Sequence, residues 1–176
     1  MNESVYLRAL ESSDIERTCK WHNDPSLYKS LVGVRLFSSH HAEELWLEQR
    51  CSYSQKEVNL AICIAESHEH IGNIYLRSID WIARTADMQV FIGEATRRAC
   101  GYGTSAVRQI LQYAFDTLNL RKISLRVLVD NEPAIHLYRK FGFVVEGTLK
   151  AHVFKEGQYK DLVVMALMRG SCESPA

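Results

Sequence analysis

No charge of either sign dominates this chain. Its 21 lysines and arginines balance 21 aspartates and glutamates. Neither sign gathers into a long run, which excludes a general electrostatic pull toward nucleic acid or an anionic membrane surface. Any anion site must therefore be local. Also missing is an apolar stretch near the roughly 20 residues of a membrane span, and Met1-Asn2-Glu3-Ser4 lacks the basic segment and hydrophobic core of a secretion signal. A cytoplasmic protein without nucleic-acid or membrane partners is expected. The five cysteines, Cys19, Cys51, Cys63, Cys100 and Cys172, are odd in number and scattered, with no Cys-x-x-Cys pair. That argues against a zinc ribbon or a redox centre and makes reduced thiols the expectation.

Neither an internal repeat nor a linker is visible. A chain of 176 residues that is 47% hydrophobic and 24% charged suits one domain, expected over residues 1–169 with a flexible tail at 170–176. His68-Glu69-His70 presents two imidazoles. It lies in a polar stretch between two strand-like runs, so a solvated hairpin turn is the better reading, and no metal is expected.

What the chain does have is Gly101-Tyr102-Gly103, preceded by Arg98-Ala99-Cys100 and followed by Thr104-Ser105-Ala106 at the start of an apolar-periodic helix. Two glycines before a helix let several N–H groups converge on one anion at the positive end of the helix dipole. The same spacing also satisfies the relaxed dinucleotide fingerprint, and it can be a simple turn. A dinucleotide fold places its glycines directly after a strand. Here eight residues separate Ile92 from Gly101 and only 70 follow Ala106, which weakens that alternative.

The order of elements reads β, α, α, βββ, α, β, α, ββ. Val5 to Leu10 is a short strand, and Ser13-x-x-Glu16 has capping-box spacing for a helix to about His22, broken by Asn23-Asp24-Pro25. Leu27 to Phe37 is irregular or weakly helical. Ser39 to Arg50 carries Ala42, Leu45, Trp46 and Gln49 at helical spacing. Three strands follow at Asn59 to Ala65, Ile71 to Ser78 and Thr85 to Ile92. The stripe Ala106, Val107, Ile110, Leu111, Ala114 and Leu118 predicts a helix, and Ile123 to Val129 a strand. Asn131 and Pro133 open the next helix, which Gly142 stops. Strands at about Phe143 to Val153 and Gln158 to Met168 flank a Lys155-Glu156-Gly157 turn.

Arg98-x-x-Gly101-x-Gly103, followed about 28 residues later by Asn131-x-x-Ala134-x-x-x-Tyr138-x-x-x-Gly142-Phe143, resembles the two signatures of the GNAT acyl-CoA N-acetyltransferases. Trp21-His22-Asn23-Asp24-Pro25 and the run from Ala134 to Phe143 are most similar to its ribosomal-protein and polyamine branch. The resemblance covers essentially the whole chain. It implies an α+β (mixed α/β) fold with a mostly antiparallel seven-stranded sheet, splayed at a parallel pair and flanked by four helices. It also implies acetyl-CoA as co-substrate, an amine acceptor and a homodimer.

Residue by residue, the resemblance assigns the pyrophosphate to the backbone of Arg98, Ala99, Cys100, Gly101, Tyr102, Gly103 and Thr104, with Arg97 or Arg98 adding charge-assisted contacts. Pantetheine is assigned to the main chain of Val90, Phe91 and Ile92, the thioester to Asn131, and the proton for the departing thiolate to Tyr138. Asn131 also reads as a helix cap and Tyr138 as a core aromatic, since Ala134, Leu137, Tyr138 and Phe141 form an i, i+3, i+4, i+7 stripe. Asp87, near the start of the strand that ends at Ile92, is the candidate for attracting or deprotonating the acceptor ammonium.

Leu27 to His41 contains Lys29, Arg35, His40 and His41 and no carboxylate. That departs from the acidic region that suits a polycation. It points to the primary amine of a small molecule bearing an acid or phosphate, such as an amino acid or amino sugar. Alternatives are a protein amino terminus, a polyamine, and, in another class, a non-catalytic acyl-CoA-binding module.

Overall fold

The computed structural model describes residues 4–170. The expected mobile tail lies, apart from Gly170, outside them. One seven-stranded sheet runs through the molecule: β1 (Val5–Ala9), β2 (Val58–Ile64), β3 (His70–Asp80), β4 (Thr85–Ile92), β5 (Lys122–Leu128), β6 (Val144–Lys155) and β7 (Gln158–Met168), in the spatial order β1-β2-β3-β4-β5-β7-β6. Every neighbouring pair is antiparallel except β4 with β5. That parallel pair holds for only three rungs, Thr85 with Lys122, Ala86 with Ile123 and Asp87 with Ser124. Beyond them β4 keeps pairing with β3 as far as Ile92, while β5 follows β7 to Leu128. The sheet therefore opens as a V whose apex is the Asp87–Ser124 rung.

Among the described residues five helices flank it: α1 (Ile15–His22), α2 (Pro25–Tyr28), α3 (His40–Cys51), α4 (Tyr102–Gln112), which runs on into a wider turn at Tyr113–Thr117, and α5 (Glu132–Lys140). The additional one, α2, is a four-residue helix where the sequence reads as a break at Asn23-Asp24-Pro25 and then as irregular or weakly helical. Pro25 opens it and the Asp24 carboxylate accepts from the Ser26 N–H at 2.8 Å. Strand alternation sorts side chains to two faces. Ile62, Ile74 and Leu76 pack with Ala106, Val107, Ile110 and Leu111 of α4 and with Tyr138 of α5. Ala61, Cys63 and Tyr75 pack on the other face with Leu10 and with Leu47 of α3. Each large apolar side chain buried in the α4 layer contributes roughly 1.5–3 kcal/mol.

Three local expectations are corrected. The capping box is not Ser13 with Glu16: it is Glu11 with Asp14, around the 3-10 turn Ser12–Asp14 that leads into α1, where the Asp14 carboxylate accepts from the Glu11 N–H at 2.9 Å. The inner face of α3 is Glu43 and Leu47, whereas Leu45 is 49% exposed. Periodicity missed this because the buried Glu43 is held through Oε2 by His22 Nδ1 at 2.8 Å, a partner from another helix, and by Ser38 Oγ at 3.2 Å. His70 is no solvated turn residue. It starts β3, is buried, and lies 3.0 Å from Asp14 Oδ1.

The open V and its cavity

A cavity of about 860 Å³ occupies the V. It runs from the loop before α4 to the Asp87–Ser124 rung. One wall is β4, contributing Asp87, Met88, Gln89, Val90, Phe91 and Ile92. Because β5 leaves β4 after the third rung, the β5-facing main-chain groups of this stretch are free of a strand partner and can pair with an extended amide-bearing chain.

At one end stands the glycine loop. Gly101 has φ +87° and Ala99 φ +60°, two left-handed residues separated by Cys100 immediately before α4, a backbone type that forms anion-binding concavities. The first N–H groups of α4 have no acceptor within the helix, and its dipole favours an anion there. A Cβ at Gly101 or Gly103 would meet nothing within 4 Å. The protein does not fill the space above them, which suits a pyrophosphate.

The side chains of the loop do other work. Arg98 donates to Ile92 O and Gly93 O at 3.0 and 2.9 Å and lies 3.5 Å from Asp24. Arg97 pairs with Glu69 at 2.8 Å. Both guanidinium groups thus brace the loop, leaving main-chain amides as its anion-facing element. Tyr102 is buried in the α4 core, and Cys100 Sγ lies 3.4 Å from Arg98 O; neither lines the cavity, while Arg98, Ala99, Gly101, Gly103 and Thr104 do. Beneath the loop Trp21 packs so closely on Gly93 that a Cβ there would sit 2.2 Å from the indole. Its Nε1 donates to Glu94 at 3.0 Å.

Tyr138 reaches the cavity from α5. Buried and against Phe143 at 5.7 Å between ring centroids, its phenol is pushed up to about 12 by desolvation and so keeps its proton. Asn131 also lines the cavity, with its side chain committed: Oδ1 caps α5 by accepting from the Ala134 N–H at 3.3 Å and Nδ2 donates to Ser30 O at 3.0 Å. It ties α5 to the segment after α2, where Leu31, Val32 and Gly33 form another wall. Lys155 holds the same segment through Tyr28 O and Gly33 O, each at 2.7 Å.

Around the apex the cavity is lined by Tyr75, Arg77, Asp87, Arg126, Trp46 and His22. Of these, sequence reasoning singled out only Asp87 as a site residue. Tyr75 and Arg77 carry no local motif; the register that sets Arg77 opposite Asp87 and Tyr75 opposite Gln89 brings them to the site.

Comparison with known proteins agrees with this geometry. The acetyltransferase (GNAT) domain family matches residues 4–144. The chain belongs to the GNAT acetyltransferases. It is 31% identical over 169 residues to the spermidine N(1)-acetyltransferase of Vibrio cholerae, covering 96% of this chain and 95% of the relative. A crystal structure of that bacterium's spermidine N-acetyltransferase with CoA and spermine superposes with a TM-score of 0.89 at 29% identity, over 97% and 98% of the two chains; a dodecameric structure of the enzyme is also known. The L-amino acid N-acetyltransferase of Escherichia coli is 26% identical, over 94% of this chain and 98% of the relative. The protein is therefore an acetyltransferase with acetyl-CoA as co-substrate, and the splayed strands, open glycine loop and helix N-terminus fit that donor.

Proposed function

We propose that this GNAT acetyltransferase acetylates a primary amine of a small molecule, with Tyr138 as general acid toward the coenzyme A thiolate. The observation that carries the reading is the placement of Tyr138, a buried phenol holding its proton at about 12, in the wall of the cavity that opens where β4 and β5 part. Acetyl-CoA supplies an acyl group activated as a thioester. The neutral amine nitrogen, its ammonium proton first given to water, forms a bond to the acyl carbon as the carbon–sulfur bond breaks; Tyr138 gives its proton to the leaving sulfur, and the proton that the nitrogen then sheds goes through water to restore the phenol. Burial keeps the phenol protonated, so that the proton is in place when the thiolate leaves.

The Arg98 N–H is already given to Ala95 O at 3.3 Å, so the amides from Ala99 to Thr104 take the pyrophosphate, and the main chain of Val90, Phe91 and Ile92 takes pantetheine. Asn131 acts by fixing α5 and the Ser30 segment around the thioester. Asp87, at the apex, attracts the acceptor ammonium. The whole unit, residues 1–169, acts as one domain in the cytoplasm, and self-association is supported by the dodecamer of the Vibrio cholerae enzyme.

Among acceptors, an amino acid or amino sugar is supported by the cavity's basic side chains, with Asp87 the sole aspartate or glutamate among the described residues lining it. The identity with spermidine N-acetyltransferases supports a polyamine as a second reading. Incubating the protein with acetyl-CoA and a panel of amines tests the function, with free thiol and the mass of the acetylated product as readouts. Product from at least one small amine is expected; acetylation of protein amino termini alone would overturn the small-molecule reading.

A further inference from the structure

A buried polar chain ends at the apex of the cavity. Arg8 grips Asp14 through two contacts of 2.8 and 2.7 Å, and Asp14 Oδ1 lies 3.0 Å from His70 Nδ1. His70 Nε2 faces Asn73 Oδ1 at 2.7 Å and Gly72 O at 3.0 Å, and Asn73 Nδ2 donates to the Tyr75 hydroxyl at 2.9 Å. Asp14, His70, Asn73 and Tyr75 are each 4% exposed or less. The Tyr75 oxygen thus accepts from Asn73 and keeps its own proton to donate. Among the described residues no acceptor takes it, and Tyr75 lines the cavity. An unused donor on a buried hydroxyl, oriented by a four-residue relay, marks a place for an acceptor atom of a ligand.

The neighbouring side chain says which kind of atom. Arg77 lies over the Tyr75 ring, 4.4 Å from its centroid, and pairs with Glu57, which Arg50 also contacts. Two guanidinium groups against one carboxylate leave this wall with one positive charge uncompensated. Arg126, exposed on β5, faces the same cavity. Asp87, opposite Arg77 in the register, supplies the contrary charge one strand away.

We propose that Tyr75 and Arg77 form a carboxylate-binding subsite, so that the acceptor is an amine carrying an acid group, an α-amino acid being the simplest. Its carboxylate accepts from the Tyr75 hydroxyl and the Arg77 guanidinium, and its ammonium is drawn to Asp87 at the apex, where the thioester arrives. This rests on the reading of the protein as a small-molecule N-acetyltransferase.

The test is thiol release by the full-length chain with amines that differ only in the carboxylate: L-leucine against isoamylamine, and L-lysine against cadaverine, with spermidine alongside. In the wild-type protein kcat/KM is expected to favour each amino acid by about 10- to 100-fold, the range of a charge-assisted hydrogen bond. Tyr75→Phe and Arg77→Met should each collapse that ratio toward one, chiefly through the KM of the amino acid, with the KM for acetyl-CoA held. Thermal denaturation accompanies each variant, because Arg77 also neutralises Glu57. Should Arg77→Met fail to fold, Tyr75→Phe, which keeps the ring, decides the matter, and an undiminished ratio in it overturns the subsite. Preference for spermidine or cadaverine over both amino acids overturns the subsite and leaves N-acetylation standing. No turnover with any amine overturns both.

Discussion

Tyr138 and Tyr75 line one cavity from opposite faces of the sheet. Tyr138 packs in the layer beneath α4 and α5, and Tyr75 in the layer beneath α1 and α3. A continuous sheet would keep them apart; the parting of β4 and β5 after three rungs lets both reach the same space. In the proposed reaction the acceptor enters on the Tyr75 side and the leaving sulfur is protonated from the Tyr138 side.

Replacing Tyr138 by phenylalanine removes the proton donor and keeps the ring against Phe143. Turnover should fall roughly 10- to 10⁴-fold while acetyl-CoA still binds. Steady-state kinetics with calorimetric titration of acetyl-CoA checks it. Because burial holds the phenol up to about 12, the wild-type rate should show no loss from Tyr138 ionisation until well above neutral pH. Near-wild-type turnover in the variant would remove Tyr138 from the mechanism.

Gly103 is in open space within the first turn of α4. Gly103→Ala should therefore leave the melting temperature unchanged or slightly raised, alanine being the better helix former by about 1 kcal/mol, and yet weaken acetyl-CoA by about tenfold or more if the pyrophosphate lies over it. Gly101→Ala should in addition lose about 1 kcal/mol of stability from its left-handed backbone. Unchanged acetyl-CoA affinity in Gly103→Ala would count against the cradle.

Gly93 differs in kind. An added methyl collides with the Trp21 ring, and the indole is fixed by Glu94 and by edge contacts to His70 and Phe91. Gly93→Ala is expected to destabilise by about 3 kcal/mol, the upper end for an overpacked site, and to displace the end of β4. Chemical denaturation should show the lowered midpoint; a midpoint equal to wild type would mean that Trp21 moves freely.

Burial works to raise the Asp14 carboxyl, but the hydrogen bonds from Arg8 and the Glu11 N–H, with the His70 ring 3.0 Å away, outweigh it and hold the group well below the usual carboxylate range. A group so depressed adds stability that is present above its unfolded value of about 4 and is lost as pH falls through its lower folded value. Asp14→Asn should lower stability near neutral pH by about 3 kcal/mol and flatten the decline below pH about 4. Melting temperatures over an acid series would show this, and parallel curves for the two proteins would refute it.

The sequence by itself determined the parts that depend on neighbours along the chain: the strand and helix order, the α4 stripe from Ala106 to Ala114, the Gly101-Tyr102-Gly103 loop, and the pairing of that loop with the Asn131 to Phe143 signature. These are legible because helical and strand periodicities and turn chemistry act over a few residues. Only the tertiary structure decided that Arg97 and Arg98 brace the loop through Glu69, Ile92 and Gly93, and that Asn131, besides the cap the sequence shows, ties Ser30 through its Nδ2. It also turned the histidine of a polar stretch, His70, into the middle of a buried chain from Arg8 to Tyr75. Glu69 beside Arg97, Ser30 beside Asn131 and Asp14 beside His70 are partners far away in sequence. Burial makes those bonds obligatory, because an unpaired polar atom in the interior costs more than the bond returns in water.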